Sequence, residues 1–226
     1  MPTLGRFKIA SYADFDHDAD IAEQRAKFPG SEYGDARFLR AGLDEELEVA
    51  LAGSEETIQR FLTANPYLLQ YVIQNSGHHG TWIFPKKTIR TKKVDGTPGL
   101  IPDYLVATKS SLGYYWHIVE LKLASVQFAK ASGKSYSRDG TEGIAQCATY
   151  LSHFTNYIET VRSNIGVAEV ITPKNVILLI GDGTTETDAQ RVCRSEYCDL
   201  APRMIVASYD RIRRGLERDI RSRQRN

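Results

Sequence analysis

The chain has 226 residues, of which 42% are apolar and 25% charged, and its formal net charge is +1. This length can bury a core within one domain, and the composition excludes a disordered chain and a membrane-spanning one. No apolar run approaches the ~20 residues of a membrane span, and the first residues lack a signal-peptide core. The odd set of Cys147, Cys193 and Cys198 forms no disulfide framework, so we expect a cytoplasmic protein with no membrane partner.

Residues 1–50 give mixed signals and are predicted to be a leader or accessory segment before a main domain at residues 51–226. Aspartates alternate from Asp14 to Asp20, as they do at the start of a calcium-binding loop. The sixth and twelfth positions of that pattern lack the required glycine and glutamate. We therefore expect an acidic surface loop there.

A clear helix is predicted to begin after Ser54, which is a good N-cap residue. Glu55 and Glu56 favour the positive end of the helix dipole, and Pro66 limits the helix at its other end. Glu55 borders the apolar face of this helix, whereas Glu56 is turned further away. The two carboxylates are either simple dipole partners or members of a site, and both interpretations stay open.

Three β-rich stretches follow, and they are predicted to form a meander of strands. They span residues 80–90, with an interruption at Pro85, residues 101–108 and residues 114–123. A polar segment that ends in Gly113 separates the second stretch from the third and suits a hairpin loop.

Two charged residues, Glu120 and Lys122, interrupt the apolar third strand. Side chains alternate along a strand, so both point to the same face and Leu121 points to the other. The predicted hairpin brings Asp103 beside Glu120. Burying a charge is costly unless the charge is paired or binds a metal, so this patch is the candidate active site.

The second half of the chain is predicted to contain helices and strands in turn. The predicted elements are a mobile polar loop at 128–143, a helix from about 141 to 162, strands at 176–180 and 204–208, and a helix at 210–221. Gly181 and Gly183 do not complete a dinucleotide or phosphate-loop pattern. The order helix, three strands, helix, strand, plus an extra strand and helix, predicts an α/β sandwich with a central mixed β-sheet flanked by helices.

Basic residues cluster in two places, at residues 86–93 and in the arginine-rich stretch 203–225. Such blocks either contact phosphates or form a solvated helix face and a frayed tail, and charge alone does not decide between these interpretations.

Four motifs together resemble a known superfamily. They are Ile101-Pro-Asp103, Glu120-Leu-Lys122, the helical segment from Gln146 to Tyr150, and the helix after Ser54 with Asn65-Pro66 at its end. This combination resembles the PD-(D/E)xK nucleases and, more narrowly, the Shedu immune nucleases of bacterial anti-phage defence, over residues 54–182. The resemblance implies a restriction-endonuclease-like sandwich and a metal-dependent endodeoxyribonuclease.

The chemistry of the candidate patch agrees with this resemblance. Phosphodiester hydrolysis needs an activated water and neutralisation of charge on the phosphate. Asp103, Glu120 and the carbonyl of Leu121 are candidate ligands of Mg²⁺, with Mn²⁺ as an alternative cofactor. Lys122 is the candidate group that orients or deprotonates the water.

Three further residues are assigned to the same site. Glu55 is expected near the metal ion, with Glu56 as the fallback. Gln146 and Tyr150 lie four residues apart on one helix and could hold the lysine, the water or a phosphate.

DNA, double-stranded in the first instance, is the expected partner, and a homo-oligomer (dimer or tetramer) is also considered. The candidate nucleic-acid-binding residues are Lys86, Lys87, Lys92, Lys93, Lys130, Lys134 and Tyr150.

Three alternatives to a DNA nuclease stay open. A nuclease-like domain could be a catalytically inactive nucleic-acid-binding or scaffold module. A metal-dependent phosphoesterase on a small substrate is a second alternative, although no compact phosphate loop supports it. In the third, Lys122 forms only a structural ion pair with Glu120 or Asp103.

Overall fold

The protein is described by a computed structural model, which covers residues 16–73, 79–91 and 99–223. The helices are α1 (His17–Ala26), α2 (Leu43–Leu51), α3 (Glu55–Ala64), α4 (Arg138–Asn156), α5 (Ile158–Ile165), α6 (Asp188–Leu200) and α7 (Asp210–Arg223). The strands are β1 (Glu32–Gly34), β2 (Thr81–Pro85), β3 (Tyr104–Ser110), β4 (Gly113–Leu121), β5 (Asn175–Leu179) and β6 (Met204–Ala207). Short 3₁₀ helices occupy Ala36–Phe38 and Pro66–Tyr71.

The strands form one six-stranded sheet in the order β1-β2-β3-β4-β5-β6. Neighbours from β1 to β4 run antiparallel, whereas β5 and β6 run parallel to β4. The parallel strands are reached through helices, as parallel connections require. The predicted α/β fold with a central mixed sheet and flanking helices is confirmed.

The hairpin between β3 and β4 sets the register of the sheet. Ser110 pairs with Gly113, so the loop contains only two unpaired residues, and Gly113 has a φ of +116° that favours glycine. At the other end of the hairpin the last pair of the β3–β4 ladder is Tyr104 with Val119. One step beyond that pair, Asp103 lies opposite Glu120, as the sequence predicts.

Side-chain alternation divides the core between the two faces of the sheet. One face carries Val119, Leu121 and Ile177 and packs on α2, α3 and α7. The other carries Trp116 and Ile118 and packs on α4, α5 and α6. Burial on both faces explains why β4 is apolar along most of its length.

The N-terminal region contributes to the same sheet and core. The side chain of Asp16 accepts hydrogen bonds from the N–H groups of Asp18 and Ala19 and caps α1, so the expected acidic loop is wrong from Asp16 onward. Residues 14 and 15 lie outside the described residues. β1 pairs with β2, and Leu43 of α2 is buried in the core. The division at residue 50 stays a prediction.

The start of α4 corrects another expectation, because residues 138–143 are helical rather than part of a loop. The side chain of Ser137 caps the helix by accepting from the N–H of Gly140 at 3.0 Å. A Cβ at Gly140 would collide with the carbonyl of Phe128, and one at Gly143 would lie 2.6 Å from Leu178. These glycines therefore allow close helix packing and do not mark a flexible turn. The helix also ends earlier than predicted, at Asn156, and α5 follows.

The basic C-terminal stretch forms α7 over residues 210–223, so the predicted helix is confirmed and this part of the chain is not a frayed tail. Ile212 and Leu216 of α7 are fully buried. Arg213 forms an ion pair with Asp182 at 2.7 Å and another with Glu48. Among the described residues, no helix is both long and apolar enough to cross a membrane.

His117 in β4 is an unusual core residue, because neither ring nitrogen has a hydrogen-bond partner within the described part of the chain. Burial and, secondarily, Lys174 lower the pKa of His117 from 6.5 to about 4. Between these pH values the unfolded chain binds a proton that the native ring does not bind. The stability of the native state is therefore expected to decrease as the pH falls through this window.

We expect His117→Leu to stabilise the fold, because it removes an unpaired buried polar ring. The advantage of the variant in free energy of unfolding should be about 2 kcal/mol larger at pH 5 than at pH 8. Urea unfolding at both pH values measures this difference. An advantage that does not change with pH would contradict a buried neutral histidine.

Candidate active site

Asp103 lies directly before β3 and is held by two contacts to its carboxylate. The residue is only 2% exposed. Its Oδ2 accepts a hydrogen bond from the backbone N–H of Leu121 at 2.7 Å, and its Oδ1 forms an ion pair with Lys86. The first contact fixes this carboxylate to the backbone of β4, and hence to the strand that carries Glu120.

Glu120 lies at the end of β4 and is 4% exposed. Its Oε1 is 3.4 Å from Nζ of Lys122, whereas its buried Oε2 has no hydrogen-bond partner among the residues described. Burial is the main cause that raises the pKa of Glu120 from 4.5 to about 7, and Asp103 raises it further, while Lys122 and Tyr150 oppose the rise. A buried oxygen without a partner is a ready position for a cation.

Lys122 lies directly after β4 and is held by its backbone on both sides. Its N–H donates to the carbonyl of Leu179 at 2.9 Å, and its carbonyl accepts from the Tyr209 hydroxyl at 2.8 Å. Its side chain is only 13% exposed. The ammonium is therefore presented to Glu120 by a fixed stretch of backbone.

Glu55, in the first turn of α3, faces the same group of charges. Burial raises its pKa; Asp103 adds to the rise, and Lys122 and Lys86 oppose it, so all three lie within electrostatic reach of Glu55. Glu56 is instead exposed and forms an ion pair with Arg60 at 3.2 Å. The structure thus brings Glu55 towards the site and turns the fallback residue Glu56 away from it.

The helix α4 contributes Tyr150 and Gln146 in different ways. Tyr150 is buried; burial and, secondarily, Glu120 raise its pKa, so the hydroxyl lies close to that carboxylate. The Tyr150 hydroxyl also donates to the carbonyl of Ile101 at 3.4 Å. Gln146 is exposed one turn before Tyr150. The role of Gln146 at the site stays a prediction.

Lys86 is a site residue that the sequence assigned only to nucleic-acid binding. It follows Pro85, which pairs with Tyr104, so β2 places it beside Asp103. Its N–H donates to the carbonyl of Asp103 at 2.9 Å, and its ammonium contacts the carboxylate. This contact could be predicted only from the antiparallel pairing of the end of β2 with the start of β3. That prediction requires the register of β2 against β3.

The other candidate nucleic-acid-binding lysines do not join this cluster. Lys130 and Lys134 are exposed on the loop before α4, and this loop packs against the start of α6 through Gly133. Lys87 lies near Gly30. Lys92 and Lys93 lie outside the described residues.

The donor set suits Mg²⁺ better than a transition metal. Within the described ranges, no three His, Cys, Asp or Glu side chains come together as a complete metal cage. Mg²⁺ commonly keeps several waters and takes only one or two carboxylates from the protein. Asp103 and Glu120, with the unpartnered Oε2, fit that requirement, and the carbonyl of Leu121 is a further candidate ligand.

A cavity of about 650 Å³ lies elsewhere, against β1, α2 and α3. It contains neither Asp103 nor Glu120, and its charged groups include the ion pair between Arg40 and Glu46. We assign the chemistry by the converging carboxylates, because cavity size alone supplies no reactive group.

The raised pKa of Glu120 generates a prediction on stability. The pKa of the Glu120 carboxyl is higher in the native state than in the unfolded chain. The free energy of unfolding therefore decreases as the pH rises from 4.5 to about 7, because the buried group must then ionise. Without metal, Glu120→Gln should gain about 2 kcal/mol over the wild type between pH 5 and pH 8. Denaturant unfolding in EDTA measures this gain. Glu56→Gln is the matched exposed control, and an equal gain in that variant would contradict the assignment.

Comparison with known proteins adds an independent observation. The family model described as the C-terminal region of the Shedu protein SduA matches residues 52–211. The match extends from the end of α2 to the start of α7 and includes Glu55, Asp103 and Glu120. No curated protein matches the chain. Because the match spans more than half of the sequence, the chain belongs to the Shedu family.

Proposed function

We propose that the protein is a Mg²⁺-dependent nuclease that hydrolyses DNA phosphodiester bonds in anti-phage defence. The observation that carries the proposal is the convergence of Asp103, Glu120 and Lys122 at one end of β4. Membership of the Shedu family supports the role in defence against phage.

We also propose that the sheet and its helices form a restriction-endonuclease-like domain of the PD-(D/E)xK type. The order α3, β2, β3, β4, α4, β5 supports this assignment. So does the position of the two carboxylates, one directly before β3 and one near the end of the adjacent β4. In this arrangement the hairpin register alone brings the acidic groups together.

Asp103 and Glu120 would hold the metal ion, because their oxygens are buried together and repel each other without a cation. A bound Mg²⁺ supplies neutralisation of phosphate charge and a lowered pKa for a coordinated water. The N–H of Leu121 keeps the Asp103 carboxylate in position.

Lys122 is the proposed general base or water-orienting group. Its Nζ lies 3.4 Å from Oε1 of Glu120, and its backbone is held by the contacts to Leu179 and Tyr209. A lysine in this position can donate to the attacking water or stabilise negative charge that develops on the phosphate. The Tyr150 hydroxyl, on the side of α4, lies close enough to Glu120 to oppose the rise in its pKa.

The exposed lysines of the loop before α4 are the proposed contacts to the DNA backbone. Lys130 and Lys134 have exposed side chains, and the loop itself is held by the hydrogen bond from the N–H of Ser137 to the carbonyl of Phe128 at 2.9 Å. Side chains of this kind position DNA through its phosphates and read no sequence.

Cleavage is the first test. The protein should cut supercoiled or linear DNA with Mg²⁺ or Mn²⁺ and not with EDTA, while Ca²⁺ should bind and support little turnover. Asp103→Ala, Glu120→Ala and Lys122→Ala should each remove nearly all activity, and pairs of them should add little. Gln146→Ala should reduce the rate by about 10- to 100-fold, as expected for a supporting residue.

Glu56→Gln is the matched control for cleavage, because Glu56 shares the first turn of α3 with Glu55 but faces solvent. It should cut at the rate of the wild type. If the variant lacking Asp103, Glu120 and Lys122 cut as fast as the wild type, the site assignment would be wrong. If the wild type cut no nucleic acid with any divalent metal, the inactive binding module would become the better conclusion.

DNA affinity provides a separate test of the loop lysines. Replacing Lys130 and Lys134 together by alanine should weaken binding equally for unrelated DNA sequences. The slope of log affinity against log salt should decrease by roughly two, at about one unit per phosphate contact. Fluorescence anisotropy at several salt concentrations measures this slope, with Lys109→Ala as the control. An unchanged slope would assign both lysines to a solvated surface.

A further inference from the structure

Two lysines share the candidate site, and they differ in how firmly they are held. Lys122 is almost buried beside Glu120. The side chain of Lys86, which contacts Oδ1 of Asp103, is 52% exposed. In the described part of the chain, Asp103 is the carboxylate with which Lys86 forms an ion pair. Lys86 therefore sits at the solvent side of the group that the proposed function assigns to the metal.

The backbone of Lys86 is fixed even though its side chain is accessible. It has a φ of +49°, the one positive value of a non-glycine residue among the residues described. Its N–H donates to the carbonyl of Asp103 at 2.9 Å. A side chain other than glycine, asparagine or aspartate pays a conformational cost in this region, and such positions concentrate at functional sites. The strained backbone directs this lysine at Asp103, and only the side chain is free to move.

The two oxygens of Asp103 have different partners. Oδ2 accepts the Leu121 N–H, which is part of the hairpin and does not move away. Oδ1 is contacted by the ammonium of Lys86. A divalent cation that binds Oδ1 must replace that ammonium or lie next to it, and two cations at one oxygen repel each other.

We propose that Lys86 competes with the metal for Asp103, and that a DNA phosphate draws Lys86 away so that DNA binding promotes metal binding. This inference rests on the proposed function of the site. The phosphate offers the ammonium a new charge-assisted partner at the moment when Asp103 needs a new cation. Metal and DNA then bind cooperatively, and the coupling is reciprocal.

The size of the effect follows from the exposure of the ion pair. A half-exposed lysine–carboxylate pair contributes little to stability, so Lys86 leaves Asp103 at low cost. Removing this lysine should tighten metal binding in the absence of DNA by about two- to fivefold. Metal increases DNA affinity by the same factor as DNA increases metal affinity, because the coupling is reciprocal. This factor should therefore decrease by a similar amount in the variant.

The experiment compares Lys86→Met with the wild type, using Ca²⁺ so that DNA is not consumed. Calorimetry gives the Ca²⁺ affinity without DNA, and fluorescence anisotropy of a short duplex gives DNA affinity with and without Ca²⁺. Lys109→Met is the control, because Lys109 lies at the opposite end of β3 from Asp103 and belongs to neither the site nor the candidate DNA contacts. Asp103→Asn identifies the heat that comes from this site, and thermal melting confirms that each variant is folded. Lys86→Gln replaces Lys86→Met if the latter does not fold.

The expected result is tighter Ca²⁺ binding by Lys86→Met and a smaller effect of Ca²⁺ on its DNA affinity. Lys109→Met should show neither change. Equal Ca²⁺ affinity in Lys86→Met and the wild type would overturn the competition while leaving the nuclease site intact. A wild type that binds no Ca²⁺ or Mn²⁺ at Asp103, with or without DNA, would overturn the proposed function together with this inference.

Discussion

The hydrogen bond from the Leu121 N–H to Oδ2 of Asp103 is the contact on which the site depends. It continues the β3–β4 pairing one step beyond Tyr104 and Val119, with a carboxylate in place of a backbone carbonyl. Because the acceptor is a side chain, the bond fixes the orientation of the carboxylate as well as the spacing of the strands. A shift of the hairpin register by one residue would turn Glu120 to the opposite face of the sheet and separate it from Asp103.

The charges of the site are arranged so that they are only partly satisfied. Two buried carboxylates face two lysines, yet Oε2 of Glu120 has no partner among the described residues, and the pKa of this carboxyl is raised to about 7 by burial and by Asp103. A purely structural ion-pair network is expected to satisfy every buried oxygen, because an unpaired one costs free energy. The unpartnered Oε2 is the position that a divalent cation would contact, and natural proteins tolerate such local costs where function requires them.

Sequence reasoning succeeded where one local rule sufficed. Strand alternation predicted that Glu120 and Lys122 share a face, and the glycine-ended loop before Gly113 predicted the hairpin that brings Asp103 to them. It failed where tertiary packing decides the structure. Gly140 and Gly143 predicted a loop, although they allow α4 to pack closely against its neighbours. Strand β1 has only three residues, too few to give a strand pattern. Lys86 was assigned to DNA alone because its contact with Asp103 needs the β2–β3 register, which no local pattern contains.

A crystal of the wild-type protein with Mn²⁺ provides the most direct test of the central claim. The anomalous scattering of the ion locates it without reference to activity. The account predicts one strong peak in contact with a carboxylate oxygen of Asp103 and with Oε2 of Glu120, at about 2.1 Å as for Mg²⁺. The same peak should be missing in Asp103→Asn. A structure in which the Lys122–Glu120 pair persists and the ion binds elsewhere, or nowhere, would show that the two carboxylates form a structural ion-pair network and not a metal site.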